Sequence, residues 1–451
     1  MKRFSSISIA LASALCVAGA NAAMRPHYGG TLHVSMQESP QVFDPSAMDS
    51  SALRSLWQLV FETLVRLDDH GRPQPALAVG WQSEPGNQRW RFQLRNGVIF
   101  SDGTPLDSST AAASLRAANP QWKIFGLGDL VMIETESPDA NLPAEVALPR
   151  NSISRANNGT LIGTGPFVVS KWDSAAKHLS LAANNQYWAG RPFVDSVEVD
   201  TGKAYRDQIM LLDLGKSDVA EIPPEAIRPA QSGNRVVLTS SPEELMALVF
   251  SRDAASSDET KQRIALARSI DTTALNNVVF QDGGEPAGAM LPNWLSGYGF
   301  LFPSGSAGAG SVREKLPQSP AWTLSYDAGD QLEHIIADRI LLNARDAGIT
   351  LQTTNSATSD IRLVRLALPS LDPQVGLSEL ARQTHQMPPT FGSGSVSANY
   401  SAENALLQKH RIIPLVHLRT AIAVRPNVHA VIVRPDGTWN LRDVWLSPET
   451  P

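Results

Sequence analysis

The sequence predicts a mixed α/β chain with at least one partly parallel sheet, and three observations carry that expectation. Short runs of alternating apolar and polar residues, such as Gly30 to Met36 and Trp90 to Arg95, have the period of strands. Between Trp322 and Gln352 a strand, a helix and a second strand follow with short links, the pattern of a parallel crossover unit. The chain has 451 residues, enough for two or three domains of about 150 residues each.

The N-terminus begins Met1-Lys2-Arg3, runs apolar and small from Ile7 to Gly19, and reaches Ala20-Asn21-Ala22. A basic start, a short apolar stretch and an Ala-x-Ala site predict a secretory signal over residues 1–22, cut after Ala22. The apolar run is too short to span a bilayer. Cys16 is the only cysteine and lies inside that segment, with Leu15 before it where a lipid-attachment site needs a small residue. The mature chain is therefore expected to lack thiols, disulfides and a lipid anchor. At this length a core can form without them.

The chain carries 38 basic and 44 acidic residues, a net charge of −6 that becomes −8 once Lys2 and Arg3 are removed. No long block of like charge appears, which argues against a nucleic-acid surface. No second apolar run approaches membrane length.

After the first strand, Ala52 to Leu67 places Leu53, Leu56, Leu59, Val60 and Leu64 at helical spacing, until Asp68-Asp69-His70-Gly71 breaks it. Trp90 to Arg95 ends at Asn96-Gly97, a strong hairpin signal. Strands are expected at Phe167 to Val169, His178 to Ala182 and Val194 to Val199. A short helix from Tyr205 to Leu214 precedes a strand at Asp218 to Ile222. Ser256 with Glu259 forms a capping box before a helix with Ile264, Leu266 and Ile270 on its apolar face. Phe302 to Pro320, rich in Gly, Ser, Ala and Pro, reads as a surface loop. Leu332, Ile335, Ile336, Ile340, Ala344 and Ala347 line one face of a helix that stops at Gly348, and Ile361 to Leu368 is another strand. Ala421 to Val424 and Val431 to Val433 are short apolar strands before the turn Pro435-Asp436-Gly437.

Blocks of sequence then point to a family. Gly29-Gly30-Thr31-Leu32, Phe43-Asp44-Pro45, Phe61 to Leu67, Phe92 to Val98, Phe100 to Leu106 and Gly163 to Phe167 occur in order. They are followed by Tyr187-Trp188, Arg263 to Asp271, Gly284 to Ala287, Ile412 to Leu415, Val424 to Val428 and Pro435 to Leu441. In this order the chain resembles the bacterial extracellular solute-binding proteins of family 5, which include peptide- and nickel-binding components of ABC importers.

The resemblance implies an α/β two-lobed periplasmic binding protein of type II, large and peptide-binding-like. Lobe one would span residues 23–241 with 426–451 returning to it, residues 50–160 forming a reduced subdomain, and lobe two residues 242–425. Hinges are expected near Pro242 and Arg425. The implied function is capture of a peptide-like or other polar small solute between the lobes and delivery to an inner-membrane permease, by a periplasmic monomer. The alternatives are a sensor or chaperone-like binding protein without a transporter, and a degenerate member with a collapsed pocket. Peptide binders of the family carry an acidic residue after the strand matched by Ile361 to Leu368; here Pro369 holds that place, followed by Ser370 and Asp372. The stretches 105–163 and 371–412 are also short for the family.

Candidate ligand contacts follow. Glu38, Ser39 and Gln41 leave the first strand at an end where open α/β sheets bind ligands, or form a solvated turn. Trp294 and Tyr298 lie on a loop-like run and stack on a ligand or pack a local corner. Arg365 offers a bidentate cation or sits on a polar strand face. Ser370 and Asp372 flank the expected amine anchor. No histidine pair has close ligand spacing, His410 and His417 being separated by a turn-like Ile412-Ile413-Pro414, so no metal or cofactor is expected, a metal chelate whose chelator supplies most of the ligands staying open as the solute. No nucleophile elbow, phosphate loop or zinc-protease helix appears, so no enzyme is expected.

Overall fold

The computed structural model describes residues 25–40, 42–47, 50–157, 159–232, 235–299, 321–356, 358–392 and 394–448. The predicted signal with Cys16, Gln41 and the predicted loop at 302–320 lie outside them.

Strand β1 (Thr31–Ser35) leads to helix α1 (Ser51–Trp57), whose N-cap Ser50 accepts from the Leu53 amide. The helix leaves the expected course at Gln58 and does not reach Leu67. β-Branched Val60, Thr63 and Val65 favour extended backbone, and here Glu62 bridges Ile153 while Val65–Leu67 pairs with Pro73–Pro75. Next come β2 (Ala78–Ser83), β3 (Arg89–Leu94), α2 (Ser108–Ala118), β4 (Lys123–Leu127) and β5 (Leu130–Glu134). The four strands form an antiparallel sheet in the order β2-β3-β5-β4. Asn96-Gly97 turns the chain, with Gly97 at φ 77°, but closes no hairpin. Both neighbours of β3 are other strands, and Val98 and Phe100 drop into the core instead.

The larger sheet has 11 strands. Its first part uses β6 (Phe167–Asp173), β7 (His178–Ala183), β8 (Ser196–Asp200), helix α3 (Tyr205–Asp213) and β9 (Val219–Ile222). Its second part uses β10 (Val236–Phe250), α4 (Ser257–Ser269), β11 (Gly284–Pro286), β12 (Ala321–Ser325), α5 (Gln331–Asp346), β13 (Thr350–Thr353) and β14 (Ile361–Leu366). Helices α6 (Pro373–Gln383) and α7 (Val396–Leu407) and strand β15 (Ile412–Val424) complete it. The order is β6-β7-β8-β1-β9-β15-β10-β14-β12-β13, with β11 also on β15. The crossover unit is as expected: β12 pairs in parallel with β13 and with β14.

One reading needs correction. Ile412-Ile413-Pro414 is no turn, and Ala421 to Val424 is no separate strand. Both belong to one strand of 13 residues. Pro414 lacks an amide and would interrupt a ladder; it pairs Ala247 where the register with β10 shifts.

Three larger apolar cores result among the described residues. One draws on residues 245–418, a second on 32–61, 167–219 and 422–444, and the third, under the four-stranded sheet, on 64–153. Strands β10 and β15 run side by side from the second core into the first. The pairing of β10 with β15 breaks register between Thr239 and Glu244.

Candidate functional site

At that break β10 places Glu243, 1 % exposed. Its carboxylate accepts from Thr420 Oγ1 on β15 at 2.7 Å and from the Leu368 amide beyond β14 at 3.3 Å. Burial first, then the neighbouring Glu244 charge, pushes the carboxyl up to about 8, against the opposing pull of Arg54. Arg54 comes from α1 and is 4 % exposed. It donates to the Leu368 carbonyl at 2.8 Å and to the Asp436 carbonyl at 3.1 Å, tying three distant segments together.

Around this junction the chain leaves a crevice. A cavity of about 420 Å³ is walled by α1, the segment 61–69 and the turn at 432–442 on one side, and by Pro369, Ser370 and Leu371 on the other. A second cavity of about 210 Å³ lies among Pro45, Arg54, Arg150, Ala367, Pro369 and Glu379. Contacts also cross the crevice directly. Asn141 donates to Gln374 at 2.5 Å, Arg150 pairs with Glu379, and a Cβ on Gly71 would lie 2.2 Å from the Leu371 carbonyl oxygen.

A charged cluster forms on the neighbouring strands. Arg365 on β14 keeps 32 % of its side chain exposed and pairs with Glu244 at 2.5 Å and Asp330 at 3.8 Å. Burial pulls its guanidinium down, but Glu244 and Asp330 outweigh it and hold the cation charged. Glu221 on β9 accepts from the Gln37 amide at 2.7 Å, and burial, reinforced by the charges of Glu38 and Glu244, pushes it up to about 7.

The residues singled out from sequence are dispersed. Glu38 accepts from the Ser50 hydroxyl and contributes to the field at Arg365, while Ser39 Oγ meets Thr201 Oγ1 at 3.0 Å. Ser370 and Pro369 line the larger cavity. The Asp372 carboxylate caps α6, accepting from the Gln374 and Val375 amides at 3.0 Å each. Trp294 lines neither cavity and donates from Nε1 to the Pro242 carbonyl at 2.8 Å, bracing the crossing strand. Tyr298 donates to Glu403, which also accepts from the Leu291 amide at 2.9 Å, and so belongs to the C-terminal packing. Arg54 and Glu243 were not singled out. Their signals were a charge inside the apolar run Leu53 to Trp57 and a carboxylate pair inside a strand.

Two α/β halves joined by a pair of crossing strands, with a crevice between them, define the class of two-lobed type II binding proteins. The family model of the bacterial extracellular solute-binding proteins, family 5 (middle), matches residues 72–362. The chain belongs to that family. Among curated relatives, the uncharacterized protein YhjP of Bacillus subtilis is 35 % identical over 176 residues, 36 % of this chain and 30 % of YhjP. The nickel-binding periplasmic protein of Escherichia coli is 23 % identical over 375 residues, covering 72 % of this chain and 70 % of that protein. The solved structure of the Escherichia coli murein tripeptide binding protein MppA superposes with a TM-score of 0.78 at 16 % identity, over 93 % of this chain and 99 % of MppA. Among the described residues no helix is long and apolar enough to cross a membrane.

Proposed function

We propose that this protein captures a peptide-like or other polar small solute between two lobes and hands it to an inner-membrane ABC permease. The observation that carries this reading is the cavity of about 420 Å³ walled by both halves of the chain, a size in the range of small-molecule sites. Family membership and relatives named for peptide and nickel binding support the same reading. The register break of β10 against β15 between Thr239 and Glu244 supports a hinge near Pro242, with the second hinge near Arg425. Lobe one is then residues 23–241 with residues 426–451 returning to it, residues 50–160 its subdomain, and residues 242–425 lobe two. Export through residues 1–22 delivers a periplasmic monomer. Closure is stabilised only as far as the closed form binds the solute better.

The test is a thermal-shift screen of the refolded chain against di- to pentapeptides, metal chelates, sugars and amino acids. A ligand at 100 times its dissociation constant adds about 2.7 kcal/mol, a resolvable rise in melting temperature. A folded chain that no solute stabilises would sink the capture reading. It would favour instead a closed member with a collapsed pocket, which the direct contacts of Gly71 with Leu371 and Arg150 with Glu379 also fit.

A further inference from the structure

Resting on the capture reading, the geometry points to an oxyanion of the solute, a carboxylate or a phosphate, held at the Pro369 end of the crevice by Arg54 with Arg66. Among the described residues Arg54 is the one arginine that lines both cavities, and it is itself buried, at 4 % exposure. A charge taken out of water is costly unless an opposite charge or a full set of hydrogen bonds replaces the water. Arg54 forms no ion pair with any described acidic residue, and its two hydrogen bonds go to the backbone carbonyls of Leu368 and Asp436. A guanidinium has five N–H donors in a planar fork. Two carbonyls take two of those five donors, and Arg54 borders both cavities.

The acids of the larger cavity are already occupied. Glu62 accepts from Thr164, Tyr187 and Trp188 at 2.8 to 3.0 Å. Asp68 pairs with Arg72 at 2.9 Å, Asp69 with Arg434 at 3.1 Å, and Asp436 accepts from Thr438 at 2.6 Å. Arg66, in contrast, lines the cavity with no ion pair among the described residues, its Nε reaching only the Pro75 carbonyl at 3.4 Å. The lining therefore holds two arginines without an ion pair among the described residues, Arg54 having two backbone carbonyls and the longer-range pull of Glu243, and no carboxylate without a hydrogen-bonding partner. Pro369, on the opposite wall, has neither charge nor amide to offer. A bidentate oxyanion matches the fork of Arg54 in shape and charge.

Four probes test this on the processed chain, unfolded and refolded to strip cargo: trialanine, N-acetyl-trialanine, trialanine amide and inorganic phosphate. Each is followed at millimolar concentration by calorimetry and by melting temperature. The expected result is that trialanine and its acetylated form bind, and that amidating the carboxylate weakens binding at least about tenfold. Arg54→Gln then binds acid and amide alike. Arg66→Gln narrows the gap, and it reports even where Arg54→Gln fails to fold, because Arg66 has so little to hold in place. Phosphate that stabilises wild type but not Arg54→Gln assigns the oxyanion to a phosphate source. An amide that binds as well as the acid, or a gap unchanged in both variants, overturns the inference and leaves solute capture standing. A folded wild type that none of the four probes stabilises also overturns it, and the wider screen above then decides capture separately.

Discussion

The strands that cross between the halves and the four-stranded sheet of the subdomain are both antiparallel, yet they treat charge in opposite ways. In that sheet the charges stay at the rim: Arg89 pairs with Glu134 at 2.7 Å and Arg91 with Glu84 at 2.5 Å, the arginines exposed and the carboxylates half-buried. Beneath them Phe92, Val131 and Ile133 are fully buried. The crossing pair instead buries ionisable groups. Glu243 is 1 % exposed and His417 on β15 is 5 % exposed, with only the Met290 carbonyl at 3.1 Å for its Nε2. Burial pushes Glu243 up to about 8 and His417 down to about 4. A sheet that only holds its own shape pays no attention to pH over the neutral range; a strand pair shared by two cores carries groups that do.

That contrast can be broken at four points. The largest effect is expected for Phe92→Ala in the subdomain, a loss of about 3–5 kcal/mol from cavity formation, equal at pH 5 and pH 8 by urea unfolding. A pH-dependent loss there would erase the distinction. Next is Glu243→Gln. The folded carboxyl, at about 8, lies above its ordinary 4.5, so wild-type stability is full below 4.5 and is lost as pH rises towards 8. Glutamine does not titrate, and the variant should gain on the order of 3 kcal/mol over wild type across that window. Parallel urea curves at pH 5 and pH 8 for the two proteins would count against a buried, protonated Glu243. His417→Gln works in the opposite direction. Its folded value of about 4 lies below 6.5, so the wild type is fully stabilised above 6.5 and loses stability as pH falls towards 4. The variant should flatten that acid limb, by on the order of 2 kcal/mol. Arg91→Ala is the smallest, below about 1 kcal/mol and fading with added salt; a larger or salt-insensitive cost would mean the rim pairs matter more than their exposure implies.

What was legible in the sequence followed locality. The unit from Ala321 to Thr353 has its apolar face on one helix and its strands close by, so periodicity alone placed it. The first helix was overextended because Leu59, Val60 and Leu64 keep helical spacing, while the pairing that straightens them comes from Ile153 and Pro73 to Pro75. Of the crossing strands only the Ala421 to Val424 end of β15 was read and β10 was not, since Pro242, Glu243 and Pro414 interrupt an apolar pattern that only neighbouring strands make tolerable. The site was the least legible part. Pro369 and Ser370 line the cavity, while Asp372, chosen for its charge, caps a helix, as its spacing before Pro373 could have disclosed. Arg54 meets Leu368 across 314 positions of sequence, a distance over which no local pattern speaks.

Gly71 gives a handle on motion. Its backbone has φ 75°, and the atom that any other residue would add falls 2.2 Å from the Leu371 carbonyl oxygen across the crevice. Alanine there is a doorstop: it props the jaws apart from outside the residues proposed to touch cargo. Apparent affinity is intrinsic affinity scaled by the fraction of molecules able to close. The ratio of dissociation constants between wild type and Gly71→Ala would thus weigh the closing motion separately from the grip.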